Sequence, residues 1–361
     1  MTNEKILSIC IPTYNRASLL NRLLGILETE LLDIHDIVDI CISDNCSTDE
    51  TQQICLEWQK KLPIVYSKNL ENIGYDRNVL NVTKMVNSKY LWFMGDDDLV
   101  VNGSVKKLVR DIANVDVGVV YLNQFFRNQW VFDFDFKDFR IFKKEELKLT
   151  LNSSFGGAIC LNRLVVFDII DNLIEVRDGK LYKKNFGNFV FHDFVHTYLF
   201  LECLLRHGYI GIAPLSGMEY MASAEVSCSR KFYTEFLMVV HILEIKKYYP
   251  WFKEEINKKI RLRAYLSRLA IVNEDPSFED IYYASYNALL KVLALEKKPI
   301  QAIIVKLSEM SRKLPLLKSF WIIMHNIMRR KFAIKLNPKQ EQCDLRTESI
   351  RYLIHRAKEL M

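Results

Sequence analysis

Short apolar runs alternate with amphipathic helical segments through the first 125 residues, and this alternation restricts the fold more than any other feature of the chain. Each run is apolar almost throughout, which is typical of a strand buried on both faces. The segment between the first two runs instead carries leucines at helical spacing. Strands that alternate with helices predict an α/β fold, with a Rossmann-like, mostly parallel sheet and helices on both faces. The predicted strands are 6–11, 37–42, 63–66, 90–94 and 117–122, and the predicted helices are 18–32, 49–61, 76–87 and 103–114.

The length of 361 residues suits two domains. Half of the residues are hydrophobic and 26% are charged, which excludes a disordered chain and a small disulfide scaffold. Segment 129–142 alternates phenylalanines with charged residues and predicts a half-exposed hairpin strand, and 194–207 and 209–213 predict a helix and a late strand. From Tyr233 onward the pattern is almost wholly helical. We therefore predict an α/β domain over 1–228 and a helical domain over 229–361.

Positive charge is concentrated near the C-terminus. Segment 297–335 contains ten Lys or Arg residues and one acid, Glu309, although the formal net charge of the whole chain is only +6. That total is too small to indicate a nucleic-acid partner. Cations mixed with apolar residues, including Trp321, suit peripheral attachment to an anionic membrane surface. The alternative is a helical bundle that packs on the first domain or on a second copy of the chain, as a homo-oligomer.

The apolar runs and the cysteines indicate the cellular compartment in which we expect the protein. The apolar run near the N-terminus is short and is broken by Pro12, which is unlike a signal peptide. No apolar stretch reaches the roughly 18 residues that a membrane span needs. The eight cysteines show no CxxC spacing, and several lie in apolar runs, which favours free thiols in a reducing compartment. We therefore expect a cytoplasmic protein, at the inner face of the cell membrane if the basic segment binds lipid.

Polar residues follow each of the first four predicted strands. Ligands of open α/β sheets bind beyond the carboxyl ends of the strands, so these four tips are expected to face one edge. The tips read PTYNR at 12–16, SDNCSTD at 43–49, NLENIGYDRN at 69–78 and GDDD at 95–98. The agreement of four tips is stronger evidence for a ligand site than any one of them.

The three adjacent carboxylates Asp96, Asp97 and Asp98 repel one another, and protonation, a cation or full solvation must relieve that repulsion. A hard divalent ion such as Mg²⁺ or Mn²⁺, bound by one or two carboxylates and by substrate phosphates, does so. The alternative is a solvated acidic turn that caps the next helix. Because a buried strand aims the triplet at the ligand edge, we favour a metal site.

The other tips carry groups suited to a nucleotide. Asp44 and Asn45 can accept or donate hydrogen bonds to a ribose or a base, although turn and helix-capping roles are also open to this segment. Asn72 and Gly74 predict a turn with close backbone approach. Arg77 is a candidate partner for diphosphate charge, and a surface helix arginine is the alternative.

Together the motifs SICIPTYNR, CISDNCSTDET, NIGYDRN and FMGDDD resemble those of family 2 glycosyltransferases with the GT-A fold. The resemblance is close over about residues 5–125 and looser to about 220. It is nearest in character to the bacterial subgroup of surface-polysaccharide assembly that includes abequosyltransferases. The family often reads Leu-Asp-x-Asp-Asp where this chain has Met94-Gly95-Asp96-Asp97-Asp98.

The resemblance implies a nucleoside-diphosphate sugar donor and a saccharide acceptor, which in this subgroup is expected to be lipid-linked. It implies that Asp98, then Asp96, binds Mg²⁺ or Mn²⁺. The implied nucleotide-sugar residues are Pro12, Thr13, Tyr14, Arg16, Asp44, Asn45, Asn72, Gly74, Arg77, Asp96 and Asp97, with Arg230 as part of a lid or of a plain exposed loop.

Inverting members of the family use a carboxylate base ahead of a helix that follows the acceptor segment. In this chain the corresponding stretch is 191–196, and the resemblance implies Asp193 as the base. His192 and His196 are alternatives, as base or as further metal ligand. Asp193 could instead cap the helix that follows it.

Two other functions compete with a glycosyltransferase. A nucleotide-sugar pyrophosphorylase would need a glycine-rich loop after the first strand, where this chain has PTYNR. A non-catalytic carbohydrate- or membrane-binding protein with a degenerate transferase domain is disfavoured by the intact acidic triplet. Nicotinamide and P-loop nucleotide enzymes are disfavoured because their glycine motifs are absent from the sequence.

Overall fold

The computed structural model divides the chain into two compact units, 1–222 and 223–361. The residues it describes are 5–126, 129–130, 135–146, 156–177, 179–184, 195–219, 239–240, 242–249, 279–295, 297, 299, 302–303, 306 and 355–359. The predicted boundary at 228/229 falls outside these residues and stays a prediction.

The first unit is built on a ten-stranded sheet. The strands are β1 (Lys5–Thr13), β2 (Val38–Asp44), β3 (Ile64–Lys68), β4 (Ser88–Phe93), β5 (Leu99–Val100), β6 (Val119–Phe126), β7 (Gln129–Trp130), β8 (Arg140–Lys143), β9 (Ile159–Asn162) and β12 (Tyr209–Glu219), and a separate hairpin is formed by β10 (Ile174–Arg177) and β11 (Lys180–Lys183). The helices of this unit are α1 (Ala17–Leu31), α2 (Thr51–Trp58), α3 (Tyr75–Lys84), α4 (Ser104–Ile112), α5 (Arg163–Leu173) and α6 (Val195–His207). The longest described helix of the second unit is α7 (Glu279–Leu295).

The order of the main sheet is β3-β2-β1-β4-β9-β6-β12-β5. Strands β3, β2, β1 and β4 are parallel neighbours, and β6 and β12 run in the same direction. Strand β9 lies antiparallel between β4 and β6, and β5 is antiparallel to β12. The predicted mostly parallel sheet is therefore confirmed.

Helices cover both faces of the sheet, as predicted. Apolar residues of α1, α2 and α4 pack on one face, against Leu7, Ile9 and Ile11 of β1. Helix α3 lies on the other face, where Asn78 bonds Ser43 of β2, and α3 and α5 both contact α6. The alternating direction of strand side chains explains the division, because successive residues of β1 point to opposite faces.

The middle of the sheet differs from the sequence-based prediction. The small-residue segment around 155–161 contains a strand, β9, which is inserted between β4 and β6. Its four residues are all buried, and so short an apolar run carries no period that separates strand from helix. The interval 129–142 is also not one hairpin strand, because β7 pairs with β6 whereas β8 pairs with β12. The segment 131–134 between them lies outside the described residues.

A buried carboxylate fixes the chain just after the acidic triplet. Glu30 of α1 is almost fully buried, and its two carboxylate oxygens accept hydrogen bonds from the Gly103 and Val105 amides, at 2.6 and 3.1 Å. These amides belong to the first turn of α4, where backbone donors lack helical partners. The bonds hold the start of α4 against α1.

Among the described residues, no helix combines the length and apolar character that crossing a membrane requires.

Two glycines allow a direct test of the packing. At Gly118, before β6, a Cβ would lie 2.5 Å from His207 Cβ and 2.8 Å from the Cys203 carbonyl oxygen of α6. We expect Gly118→Ala to lower the free energy of unfolding by about 1–3 kcal/mol, because helix backbone must shift to admit the methyl group. Denaturant unfolding of the purified variant measures this change.

The matched control is Gly25→Ala in the interior of α1. The nearest atoms to a Cβ at Gly25 are those of Trp58, at 3.9 Å, an ordinary contact distance. Alanine is favoured over glycine within a helix by roughly 1 kcal/mol, so this variant should be as stable as the natural protein or more so. Equal stability of the Gly118 and Gly25 variants would contradict the packing described.

Candidate active site

The carboxyl ends of β1 to β4 meet at one edge of the sheet, as predicted. The register pairs Thr13 with Asp44 at the ends of β1 and β2, and Asp44 with Lys68 at the end of β3. Cys10 of β1 lies opposite Phe93 of β4, so the acidic triplet follows β4 beside the end of β1. The parallel ladder thus brings four polar loops to the same place.

The acidic triplet folds tightly around Gly95. The Asp98 carboxylate oxygen Oδ2 accepts a hydrogen bond from the Gly95 amide at 2.8 Å. A Cβ at Gly95 would lie 2.9 Å from Asp98 Oδ2 and 3.0 Å from Asp97 Oδ1. Both carboxylates therefore crowd the same side of Gly95, and any side chain at this position would displace them. This crowding gives a physical reason for glycine at the position where the family often has aspartate.

Residues between the end of β1 and the first turns of α1 hold Asp96 and Asp97. The Thr13 hydroxyl donates to Asp96 Oδ2 at 2.8 Å, and Arg16 Nη1 lies 3.5 Å from Asp96 Oδ1 and 3.0 Å from Asp97 Oδ2. Arg22 of α1 donates to the Asp97 carbonyl oxygen at 3.3 Å. Asp96 is 7% exposed, whereas the Asp97 side chain is 42% exposed. The triplet therefore presents one buried and one open carboxylate to the same guanidinium.

Burial raises the pKa of two of the three carboxyl groups, Asp96 and Asp98. Loss of solvation raises the pKa of Asp96 to about 6, although Arg16 and the Thr13 hydroxyl oppose the shift. Loss of solvation, with the neighbouring charges of Asp97 and Asp96, raises the pKa of Asp98 to about 7, and the Gly95 amide opposes this shift. A cation placed beside these groups would favour their charged forms.

Asp44 is fully buried, and described partners use both of its carboxylate oxygens. The Ser47 amide donates to Oδ1 and the Tyr66 hydroxyl donates to Oδ2, each at 2.8 Å. In this conformation Asp44 organises the loop after β2. Its carboxylate is covered in this conformation. Its predicted contact with the nucleotide base stays a prediction.

An asparagine network joins the loops after β2 and β3. Asn45 Nδ2 donates to Asn72 Oδ1 at 2.8 Å, and Asn45 Oδ1 accepts from Asn69 Nδ2 and from the Ile73 amide. Asn69 Nδ2 also donates to Asn78 Oδ1 at 2.9 Å. The network fixes the predicted pair Asn45 and Asn72 next to each other.

Sequence reasoning missed several members of this arrangement. Asn69, Asn78 and Asn81 were not singled out, nor was Tyr66, which bonds Asp44. The available signal was the presence of four asparagines between 69 and 81, an unusual density for a strand–loop–helix junction.

The predicted turn residue Gly74 has φ 82°, a left-handed value that favours glycine, at the N-cap position of α3.

Three predicted residues at this edge are open to solvent or lie to one side. Tyr14 is 44% exposed, and Pro12 of β1 is partly exposed and lies opposite Ser43. The Arg77 guanidinium lies by the turn between β10 and β11, where a Cβ at Gly179 would be 3.5 Å from Arg77 Nη1. The described contacts of Arg77 therefore do not join it to the acidic triplet.

The start of α6 is fastened to the start of α3. Asp76 Oδ1 accepts a hydrogen bond from the Val195 amide at 3.0 Å, and His196 Nδ1 lies 3.5 Å from the Tyr75 hydroxyl. The His196 side chain is buried, and its ring meets the Tyr75 ring edge to face. Asp76 thus binds the first turn of α6, the type of contact that sequence analysis offered as an alternative role for Asp193. His192, Asp193 and Arg230 lie outside the described residues.

The donor set fits a divalent cation that shares its coordination with a substrate. In the described part of the chain, no three Asp, Glu, His or Cys side chains form a complete metal cage. Mg²⁺ and Mn²⁺ sites that include substrate phosphates need only one or two carboxylates, which the triplet supplies. The Gly95 amide donates to Oδ2 of the Asp98 carboxylate, and Oδ1 is the oxygen that this amide does not engage.

Known proteins resemble part of this chain. Abequosyltransferase RfbV of Salmonella typhimurium is 40% identical over 102 residues, which cover 28% of this chain and 30% of that protein. Validoxylamine A glucosyltransferase of Streptomyces hygroscopicus subsp. jinggangensis is 40% identical over 70 residues, or 19% and 16% of the two chains. The matched segments thus span less than a third of the length of either curated relative.

The fold also resembles that of a solved transferase. The structure of S. aureus TarS 1-349 in complex with UDP superposes with a TM-score of 0.51 at 14% identity, over 80% of this chain and 81% of that one. A likeness at this identity shows the fold alone. The family model described as glycosyl transferase family 2 matches residues 8–174, which contain β1 to β4, the acidic triplet and β9. Residues 8–174 are therefore similar to family 2 glycosyltransferases, and the fold around them is GT-A-like.

Proposed function

We propose that the protein transfers a sugar from a nucleoside-diphosphate sugar to a hydroxyl of a saccharide acceptor, with inversion at the anomeric carbon and with Mg²⁺ or Mn²⁺. The observation that carries this proposal is the crowded triplet Asp96–Asp98 at the carboxyl edge of the sheet, beside Thr13 and Arg16. Its location within residues 8–174, which match the family model, supports the same function. The named relatives are an abequosyltransferase and a glucosyltransferase, and the structural relative was solved with UDP.

The donor would lie along the four loops at this edge. The nucleotide is proposed to contact Pro12, Thr13, Tyr14 and Arg16 of the first loop and the rigid Asn45–Asn72 pair. The exposed ring of Tyr14 is suited to stacking on a base. Asp44, Gly74, Arg77 and Arg230 complete the proposed contacts, with Asp44 and Arg77 requiring rearrangement from the positions described above.

Asp98 and Asp96 are the proposed metal ligands, with Asp97 available to the ribose. A bound divalent cation would supply positive charge that stabilises the departing nucleoside diphosphate. Thr13 and the Gly95 amide keep the ligand carboxylates in place, so little reorganisation is needed on binding. Asp193 is the proposed base that takes the proton of the acceptor hydroxyl, with His192 and His196 as alternatives.

The acceptor is proposed to be lipid-linked, in bacterial surface-polysaccharide synthesis at the inner face of the membrane. The charge of the segment 297–335 and its apolar residues support peripheral attachment to an anionic bilayer. A contact between copies of the chain is the competing role for this segment.

Nucleotide binding tests the metal site. Calorimetric titration with UDP, CDP, GDP and TDP, each with and without Mn²⁺, should identify one nucleotide whose binding needs the metal. Asp98→Ala should weaken that binding by about 10-fold or more, because a ligand carboxylate is lost. Asp33→Ala, which removes an exposed carboxylate of the loop after α1, is the matched control and should bind normally. Equal nucleotide affinity in EDTA and in Mn²⁺ would contradict the metal proposal.

The acidic triplet should cost the protein stability at neutral pH. The folded pKa of Asp98, about 7, lies above its ordinary value of 3.8, so the folded state holds a proton that the unfolded state releases. The penalty is therefore absent below about pH 4, grows as pH rises, and is complete above pH 7. Asp98→Asn keeps an acceptor for the Gly95 amide and should raise the free energy of unfolding at pH 8 by on the order of 2 kcal/mol.

Denaturant unfolding at pH 4.5 and at pH 8 measures this effect. The gain from Asp98→Asn should be much smaller at the lower pH. Asp33→Asn, which changes an exposed ion pair with Lys106, should have little effect at either pH. A gain of the same size at both values would show that charge burial is not its cause.

Steady-state kinetics test the base, after a panel of nucleotide sugars has identified the donor by its slow hydrolysis. Asp193→Asn should lower kcat by about 10²–10⁴-fold with little change in the KM for the donor, because proton transfer is lost and donor contacts remain. His192→Gln and His196→Gln should have smaller effects on kcat. A larger loss in either histidine variant would transfer the role of base to that residue.

A further inference from the structure

Arg16 supplies the direct counter-charge of the acidic triplet. Its Nη1 atom lies within 4 Å of both Asp96 and Asp97 carboxylates, and no other described Lys or Arg forms an ion pair with the triplet. Arg22, one turn into α1, reaches only the Asp97 carbonyl oxygen. One guanidinium therefore pairs with two of the three consecutive carboxylates, to which a divalent cation would also be attracted.

The carboxylates do not depend on Arg16 for their positions. Thr13 holds Asp96 at 2.8 Å, and the Gly95 amide holds Asp98 at the same distance. Neither hydrogen bond involves Arg16, because the first comes from the Thr13 side chain and the second from the Gly95 backbone. Removal of the guanidinium would therefore leave Asp96 and Asp98 with their present geometry.

The Arg16 side chain can move while its backbone stays fixed. The Asn15 amide donates to Ser47 Oγ at 2.9 Å, and the Ala17 amide donates to Asp49 Oδ2 at 3.0 Å, so both neighbours of Arg16 are tied to the loop after β2. The Arg16 side chain itself is 34% exposed. A guanidinium on a flexible stem, partly in water, can leave its partners without disturbing the loop.

We propose that Arg16 is an exchangeable internal counter-ion, which neutralises Asp96 and Asp97 until a divalent cation replaces it and which then binds the diphosphate of the donor. The proposal rests on the metal-dependent function proposed above and adds a consequence to it. The cation must displace Arg16 when it binds alone, whereas in the presence of a nucleotide the displaced guanidinium gains a new anionic partner. Metal and nucleotide therefore bind cooperatively, and Arg16 carries much of the coupling.

The test measures Mn²⁺ binding to the full chain by water-proton relaxation, and UDP or the nucleotide selected by titration by calorimetry. Arg16→Ala should bind Mn²⁺ alone about 3- to 10-fold more tightly than the natural protein, because a competing cation is gone. The same variant should bind nucleotide with Mn²⁺ about 10-fold more weakly, so that the coupling between the two ligands falls. Arg16→Lys retains the charge and should keep Mn²⁺ affinity near that of the natural protein.

Arg22→Ala is the matched control, since it removes a guanidinium that contacts the triplet backbone and not its carboxylates. It should leave the affinity for Mn²⁺ alone, and its coupling to nucleotide, within about 2-fold of the natural values. Circular dichroism and thermal unfolding of each variant establish that the fold is intact.

The outcomes separate the two proposals. If the natural protein binds Mn²⁺ with nucleotide but Arg16→Ala gains no affinity for Mn²⁺ alone, the exchange is wrong and the metal-dependent function stands. If Arg16→Ala gains Mn²⁺ affinity with unchanged coupling, Arg16 is only a repulsive neighbour and the exchange is again wrong. If no variant binds Mn²⁺ with any nucleotide, the metal-dependent function fails and the exchange fails with it.

Discussion

The parallel register of β1 with β2 and β4 is the constraint on which the proposed active site depends. It places Thr13 opposite Asp44 and Cys10 opposite Phe93, so the loops after three different strands begin side by side. The register of β1 is fixed by its buried side chains. A shift by one residue would turn each of them to the opposite face of the sheet. The contact from Thr13 to Asp96 joins residues 83 positions apart and follows from this alignment.

Polar groups at this edge are held by other polar groups rather than by apolar packing. The covered carboxylate of Asp44 accepts two hydrogen bonds, and Asn45 both donates to and accepts from the neighbouring loop. Such networks are rigid when each member is satisfied, since an unpaired buried donor or acceptor is costly. The edge therefore has fixed loops from which the less buried groups, Tyr14, Arg16 and Asp97, reach outward.

The two sides of the proposed reaction are built differently. The proposed donor contacts come from loops at the ends of parallel strands, which the sheet orients directly. The proposed base precedes α6, whose first turn is tied to α3 by Asp76 and by the contact of Tyr75 with His196. Helix α3 begins at the loop that contains Gly74, which is proposed to bind the donor. Helix α3 therefore links that loop to the helix that follows the proposed base.

Much of this arrangement was predictable because it is local in sequence. The runs that became β1 to β4 are apolar and of strand length, the helices between them show their own period, and the triplet directly follows β4. Strand β9 was not predictable, since four buried residues carry no period and its antiparallel insertion depends on the distant partners β4 and β6. The bonds from Tyr66 to Asp44 and among Asn45, Asn69 and Asn78 also escaped prediction, because side chains from different strands form them.

The sequence by itself determined the class of fold, the edge of the sheet at which four polar loops meet and the presence of three adjoining carboxylates there. Hydrophobic pattern and chain order are sufficient for those conclusions, because strand ends are fixed once strands are located. Only the tertiary structure decided that Asp44 is covered, that Arg77 lies by Gly179, and that Arg16 faces Asp96 and Asp97. Side-chain direction and partner choice depend on atoms far apart in the chain, which only the folded structure brings within bonding distance.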